Sequence, residues 1–292
     1  MILDELAPIG RNRAGGYDRF AWTAADAAMR EWFVSRAEAL RLDVETDRNG
    51  NLWAWRGASL GGTALVIGSH LDSVPNGGAF DGPLGIACAF LALERLGDVE
   101  QTRPIAIVAF ADEEGARFGV ACVGSRLMTG TLPAERALAL KDDEGTQLAS
   151  VIEHPIGRDL ERMSRIGEFV ELHIEQGHLP AGDGHAGLSA PVGVATSIWP
   201  HGRWRVDLSG QQNHAGTTAL VDRDDPVLAL GLLIGSVRAA AEREDALATI
   251  GKIAVRPGAV NAVAASASAW IDARGADEQR VRRLIAALPA SV

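Results

Sequence analysis

Four short segments hold most of the side chains that could do chemistry. The first runs Gly68-Ser69-His70-Leu71-Asp72-Ser73-Val74-Pro75 and continues through Asn76-Gly77-Gly78-Ala79-Phe80 to Asp81-Gly82. The second is Asp112-Glu113-Glu114-Gly115, the third Glu171-Leu172-His173-Ile174-Glu175-Gln176-Gly177, and the fourth Asn213-His214-Ala215-Gly216-Thr217. Imidazole nitrogens and carboxylate oxygens are the ligands that suit zinc, manganese or cobalt. Asp81, Glu113 and Glu114 would also repel one another at a shared edge unless a cation neutralised them. Singly, each segment has a plainer reading. A histidine after a strand is commonly just hydrogen-bonded, a Glu-Glu pair on a loop is commonly solvated, and Asp81 can serve only to cap the helix that follows. Residue types alone leave both readings open, and the joint occurrence of the segments is what favours a metal site.

The elements around these segments follow from apolar patterning. Thr23 suits a helix N-cap with Asp26 three residues on, followed by Met29, Trp32, Phe33, Ala37 and Leu40 at helical spacing. Residues 43–46 and 51–55 flank Asp47-Arg48-Asn49-Gly50, whose Asn-Gly pair signals a hairpin. Residues 63–68, 104–111 and 169–174 read as buried strands, and 82–96 as an Ala/Leu-rich helix. Alternating buried strands and helices predict an α/β sheet covered on both faces. The polar segments then fall at C-terminal strand ends, where open α/β sheets place their ligands. From about Pro191 the texture changes. Residues 192–198, 203–209, 248–255 and 263–273 read as strands, with helices over 226–243 and 277–288. This ββαββα order predicts a separate α+β layer, divided from the first domain in the Gly-rich stretch near residues 185–190, with domains 1–188 and 189–292.

Bulk composition narrows the function classes. The 292 residues are 47% hydrophobic and 23% charged, which is globular, and a formal charge of −10 speaks against a nucleic-acid or anionic-membrane surface. No run approaches the ~20 apolar residues of a membrane span, and no secretory h-region precedes Gly16. Cys88 and Cys122 lie in separate apolar settings without CxxC spacing and read as buried thiols of a reducing compartment. These features predict a cytoplasmic protein.

The strings GSHLDSVPNGGAFDGPLG, FADEEGARFG and LHIEQG, with Ile9-Gly10-Arg11 and the segment from Gly15 to Thr23, closely resemble the hydantoinase/carbamoylase family of amidases within the M20 metallopeptidase-like group. The resemblance implies a zinc-exopeptidase-like mixed sheet with a smaller ferredoxin-like lid or dimerisation domain. It implies two divalent ions, zinc, manganese or cobalt, and hydrolysis of the ureido C–N bond of N-carbamoyl-L-amino acids by a metal-activated water. Carried over residue by residue, His70, Asp81 and His173 are the ligands of one metal. Asp81 bridges to a second metal that also takes Glu114, and Glu113 is the general base. Asp72 matches the carboxylate that orients a metal-binding imidazole. His214, Asn261, Arg274 and Gln176 match substrate contacts, with Arg274 apt for a carboxylate. His154, His178, His185 and His201 match no motif and are expected at the surface.

Within that family allantoate is the nearest competing substrate. An M20-type dipeptidase or aminoacylase is a further reading of the same motifs, and so is a non-catalytic homologue. The implied partners are a small ureido substrate and a second copy of the chain joined through the lid. The family's catalytic domain resumes after the lid and supplies a last ligand histidine from a Gly-His-Asp-Ala type motif. The sequence given stops at Val292 without that motif. The expectation is therefore a fragment with an incomplete first sheet, some uncovered apolar surface, and a second metal site short of its last histidine.

Overall fold

Period-two alternation and the helices it invites organise the first half of the chain. The computed structural model describes residues 2–152, 154–176 and 191–288, and the chain divides into two compact units, Met1–Gly187 and Leu188–Val292. The expected boundary stretch, with His178 and His185, lies outside the described residues. In chain order the first unit contains α1 (Ala24–Ala39), β1 (Asp43–Thr46), β2 (Leu52–Arg56), β3 (Ala64–His70), α2 (Pro83–Leu96), β4 (Ile105–Phe110), α3 (Val123–Thr129), α4 (Ala134–Leu138), α5 (Leu160–Ser164) and β5 (Ile166–Val170). Its mixed sheet runs β1-β2-β4-β3-β5. β3 lies parallel to β4 and β5, and β1, β2 and β4 pair antiparallel.

β2 shows why helices cover both faces. Leu52 and Ala54 join Ile107 and Ala109 under α1 and α2, packing on Phe33, Ile86 and Phe90. Trp53 and Trp55 point the other way, to Val66, Val108, Met128 of α3 and the partly buried Met163 of α5. The capping of α1 is reciprocal. Thr23 accepts from the Asp26 N–H at 3.5 Å, and the Asp26 carboxylate accepts from the Trp22 N–H at 2.8 Å. In the β1–β2 turn, buried Asp47 accepts from the N–H of Asn49 and Asn51, the Asn51 amide and the Trp53 indole. The hairpin is thus fixed from inside.

β5 departs from expectation. The third strand occupies Ile166–Val170 rather than 169–174, and it is an edge strand with Phe169 and Val170 exposed rather than buried. Its ladder with β3 ends at Ile67↔Val170. Beyond that point the backbone leaves β3, and the Leu172 carbonyl lies against Gly85 of α2. Phe169, Val170 and Leu172 are all exposed.

The second unit contains β6 (His201–Ser209), β7 (Asn213–His214), α6 (Pro226–Arg243), β8 (Leu247–Arg256), β9 (Ala262–Val263), β10 (Ser266–Arg274) and α7 (Glu278–Ala286). β6, β10 and β8 form an antiparallel sheet in that order. Ala267, Ala269, Ile271 and Ala273 pack its inner face on Leu230, Leu233 and Val237 of α6 and Leu284 of α7. Residues 192–198 form no strand. Val192, Val194 and Ile198 are exposed and have no ladder partner among the described residues, and alternation without a partner does not make a strand. The expected strand 263–273 splits, because Ala262–Val263 pairs with β7 while Ser266–Arg274 enters the main sheet. The layer is α+β as expected, with a three-stranded main sheet among the described residues. No helix there is long and apolar enough to cross a membrane.

Candidate metal centre

Two parallel strands end side by side and set the site. His70 is the last residue of β3 and pairs in register with Phe110, the last residue of β4, so Glu113 and Glu114 follow within a short turn. Asp112 begins that turn in the left-handed region at φ 51°. The carboxylate of buried Asp72 accepts from the Glu113 N–H at 3.1 Å and the Glu114 N–H at 3.0 Å. The Asp72 carbonyl lies 3.0 Å from His70 Nδ1, and its carboxylate is farther away at 3.6 Å. Asp72 therefore fixes both strand ends, orienting the imidazole through its backbone and the Glu-Glu turn through its side chain. With Nδ1 engaged in this way, His70 Nε2 faces Asp81 and Glu113 at 3.9 and 3.8 Å.

Asp81 does not cap α2. That position belongs to Gly82 at φ 83°, and a Cβ there would lie 2.6 Å from the His70 ring. Glycine is what lets the turn close on the imidazole and bring Asp81 beside it. His173 completes the approach, with Nε2 3.1 Å from Asp81 Oδ1 and Nδ1 2.9 Å from the Ile174 carbonyl. Ligand atoms of His70, Asp81 and His173 lie within 4.8 Å of one another, and so do those of His70, Glu113 and Glu114. His70 is the member common to both groups, whereas Asp81 and Glu114 share neither.

The electrostatics follow from packing acids around one imidazole. Burial opposes charge on His70, but its hydrogen bond to Asp72 and the charges of Asp72, Glu113 and Glu114 outweigh it and lift the imidazole to about 9. Burial pushes Glu114 up to about 7, with His70 pulling the other way and Glu113 and Asp81 reinforcing the rise. Burial, reinforced by Asp72 and Asp26, pushes Asp112 up to about 8. Both its carboxylate oxygens are buried without a hydrogen-bond partner. An inward-facing set of two Nε2 atoms and several carboxylates in partial burial is a donor set that fits divalent cations.

The remaining candidates sit differently. Gln176 is exposed just past His173. In the second unit His214 pairs with Ala262 across β7–β9, and the Ala215 N–H donates to the Asn261 carbonyl at 3.0 Å, so His214 and Asn261 are neighbours. Arg274 closes the opposite end of β10, about 26 Å along the strand from Ser266. There it pairs with Asp272 at 2.9 Å. His154 and His201 are exposed, as expected.

Sequence reasoning missed two contacts. Cys88 and Cys122 are both half-buried rather than buried, and the Cys122 thiol donates to Glu113 Oε1 at 3.3 Å, while the Cys122 N–H donates to the Glu113 carbonyl at 2.6 Å. Ser69 donates to Glu171 Oε1 at 2.7 Å. Ser69 and Glu171 lie within segments already singled out and Cys122 follows the second of them, but no local pattern announces a contact across nine or 102 residues.

Nitrogen and oxygen donors are thus gathered beside the C-terminal strand ends of a mixed α/β sheet, an arrangement that could hold a metal ion. Peptidase family M20/M25/M40 matches residues 66–280, and the chain belongs to that family. It is 37% identical to an N-carbamoyl-L-amino acid amidohydrolase of Geobacillus stearothermophilus over 272 residues, 89% of this chain and 65% of that protein. It is 32% identical to the allantoate amidohydrolase of Escherichia coli strain K12, over 95% of this chain and 68% of that one. A crystal structure of a hydantoinase/carbamoylase family amidase from Burkholderia vietnamiensis superposes with TM-score 0.85 at 29% identity, covering 98% of this chain and 70% of the other. The chain thus spans slightly less than two thirds of the length of the Geobacillus relative.

Proposed function

We propose that the chain is the metal-binding and lid portion of a cytoplasmic amidohydrolase that cleaves the ureido C–N bond of N-carbamoyl-L-amino acids. The observation that carries this reading is the convergence of His70, Asp81 and His173, and of His70, Glu113 and Glu114, each set within 4.8 Å. His70, Asp81 and His173 would hold one divalent ion, and Asp81 with Glu114 a second, of zinc, manganese or cobalt. When bound, such ions supply Lewis acidity toward the ureido carbonyl and toward water. Glu113 accepts the proton of the attacking water and returns it to the leaving nitrogen. Asp72 holds His70 and the Glu113-Glu114 turn in mutual register throughout.

In this reading the first unit is the catalytic domain and the second the lid. Arg274 grips the substrate carboxylate through its planar fork, and His214, Asn261 and Gln176 supply further contacts. The length of β10 supports a homodimer through the second unit. One small substrate cannot touch both ends of a strand about 26 Å long, so His214 with Asn261 and Arg274 would come from different copies. Exposed Leu228 and Leu232 on α6 agree with a covered face there.

Allantoate, which also presents a ureido carbonyl near a carboxylate, is the second reading, favoured by the similarity to the Escherichia coli enzyme. The test is ammonia release from N-carbamoyl-L-amino acids and from allantoate by the metal-loaded protein, expressed with any coding sequence that continues past Val292. Release from the carbamoyl substrates, abolished by a chelator, is expected. Turnover of allantoate alone would select the second reading, and inertness to both would overturn the assignment.

A further inference from the structure

The β3–β5 ladder stops before it reaches the histidine it has to deliver. Its last pair is Ile67↔Val170, whereas β3 continues through Gly68 and Ser69 to His70, held on its other side by β4. Three residues past the ladder, His173 Nε2 nonetheless stands 3.1 Å from Asp81 Oδ1. Unpaired backbone regains conformational freedom, so something other than the sheet must hold this segment. Apolar burial does not, because Glu171, Leu172 and His173 are all exposed.

Two contacts fill the gap. Ser69, only 1% exposed, donates its hydroxyl to Glu171 Oε1 at 2.7 Å. From above, α2 presents Gly85, where a Cβ would lie 2.5 Å from the Leu172 carbonyl oxygen and 2.8 Å from Ser69 Cβ. Any larger residue at 85 would push helix and segment apart. We propose that Ser69, Glu171 and Gly85 form a positioning clamp that seats His173 against Asp81, which rests on the reading of His173 as a metal ligand. None of the three touches reacting atoms. Ser69 anchors the segment to β3, Glu171 carries the anchor, and Gly85 permits the close approach.

Zn²⁺ affinity of the purified protein, measured by competition with a chromogenic chelator, tests this without requiring turnover. Ser69→Ala and Glu171→Leu each weaken binding about tenfold. The double variant is no weaker than either single one, since both remove the same contact. Glu171→Gln keeps an acceptor for the Ser69 hydroxyl and stays within about twofold of the parent. The clamp is overturned by wild-type affinity in Glu171→Leu, by losses that add in the double variant, or by a lowered Tm with affinity intact. Gly85→Ala should match the single losses, and the Ser69/Glu171 cycle decides alone if that variant does not fold. His173→Ala run alongside separates the two claims. Undiminished Zn²⁺ binding there would overturn the ligand reading itself.

Discussion

In the first unit, five candidate side chains gather in two groups that share His70, brought there by three strand ends and a glycine turn. In the second, the candidates lie exposed, His214 and Asn261 beside the β7–β9 pair and Arg274 at the far end of β10. The first arrangement is built by backbone. Register between β3 and β4, the Gly82 turn and the Asp72 bonds leave little freedom for His70, Glu113 or Glu114. The second presents exposed side chains, with Arg274 paired to Asp272. In the proposed reading, chemistry that needs a fixed geometry would sit on the first unit and substrate recognition on the second.

The sharpest way to break this contrast is at the base. Glu113→Gln should lower turnover by about 10²–10⁴-fold in the metal-loaded enzyme while metal content stays the same. Full activity would remove Glu113 from its role. Metal affinity separates the units next. His173→Ala should weaken binding by at least about a hundredfold, and His214→Ala should leave it untouched while impairing substrate use. Metal loss in His214→Ala would erase the division of labour. Arg274→Ala should then raise KM about ten- to a hundredfold for carboxylate-bearing substrates with little change in kcat. An equal effect on a substrate lacking the carboxylate would argue against that contact.

The smallest effect concerns the frame rather than the site. The hydrogen bond from Arg162, opposed by burial and reinforced by Arg162's charge, holds the Glu45 carboxyl below its usual range. A depressed folded-state value stabilises the protein above the unfolded value and loses that contribution as pH falls through the folded one. Glu45→Gln should therefore be less stable in urea at pH 7, and should converge with the parent below about pH 4. A constant gap at all pH values would assign the difference to something other than the Glu45 charge.

Much of this was legible in the residues. The Thr23 cap, the hairpin around Asp47 and the helix over Pro226–Arg243 follow from local pattern and turn chemistry, and strands expected at 51–55, 63–68 and 104–111 fall at Leu52–Arg56, Ala64–His70 and Ile105–Phe110. The placement of His70, Glu113 and Glu114 was legible through strand-end position, whereas that of Asp81 depends on the Gly82 turn. The rest depends on partners that sequence does not display. Residues 192–198 alternate like a strand but find nothing to pair with among the described residues, and the β5 ladder stops at Val170, beyond which the chain lies against Gly85 of α2. Cys122 looked apolar because its neighbours in sequence are, while its neighbour in space is Glu113. The Ser69–Glu171 bond joins residues too far apart for any periodicity to link.

The most direct test of the central claim is metal stoichiometry, by elemental analysis after the protein is stripped and reloaded with zinc, manganese or cobalt. At least one tight equivalent per chain is the expected result, with the equivalent held by His70, Asp81 and His173 lost in Asp81→Ala and in His173→Ala. No tight equivalent in the parent, or an undiminished count after both substitutions, would contradict a metal centre built on His70, Asp81 and His173.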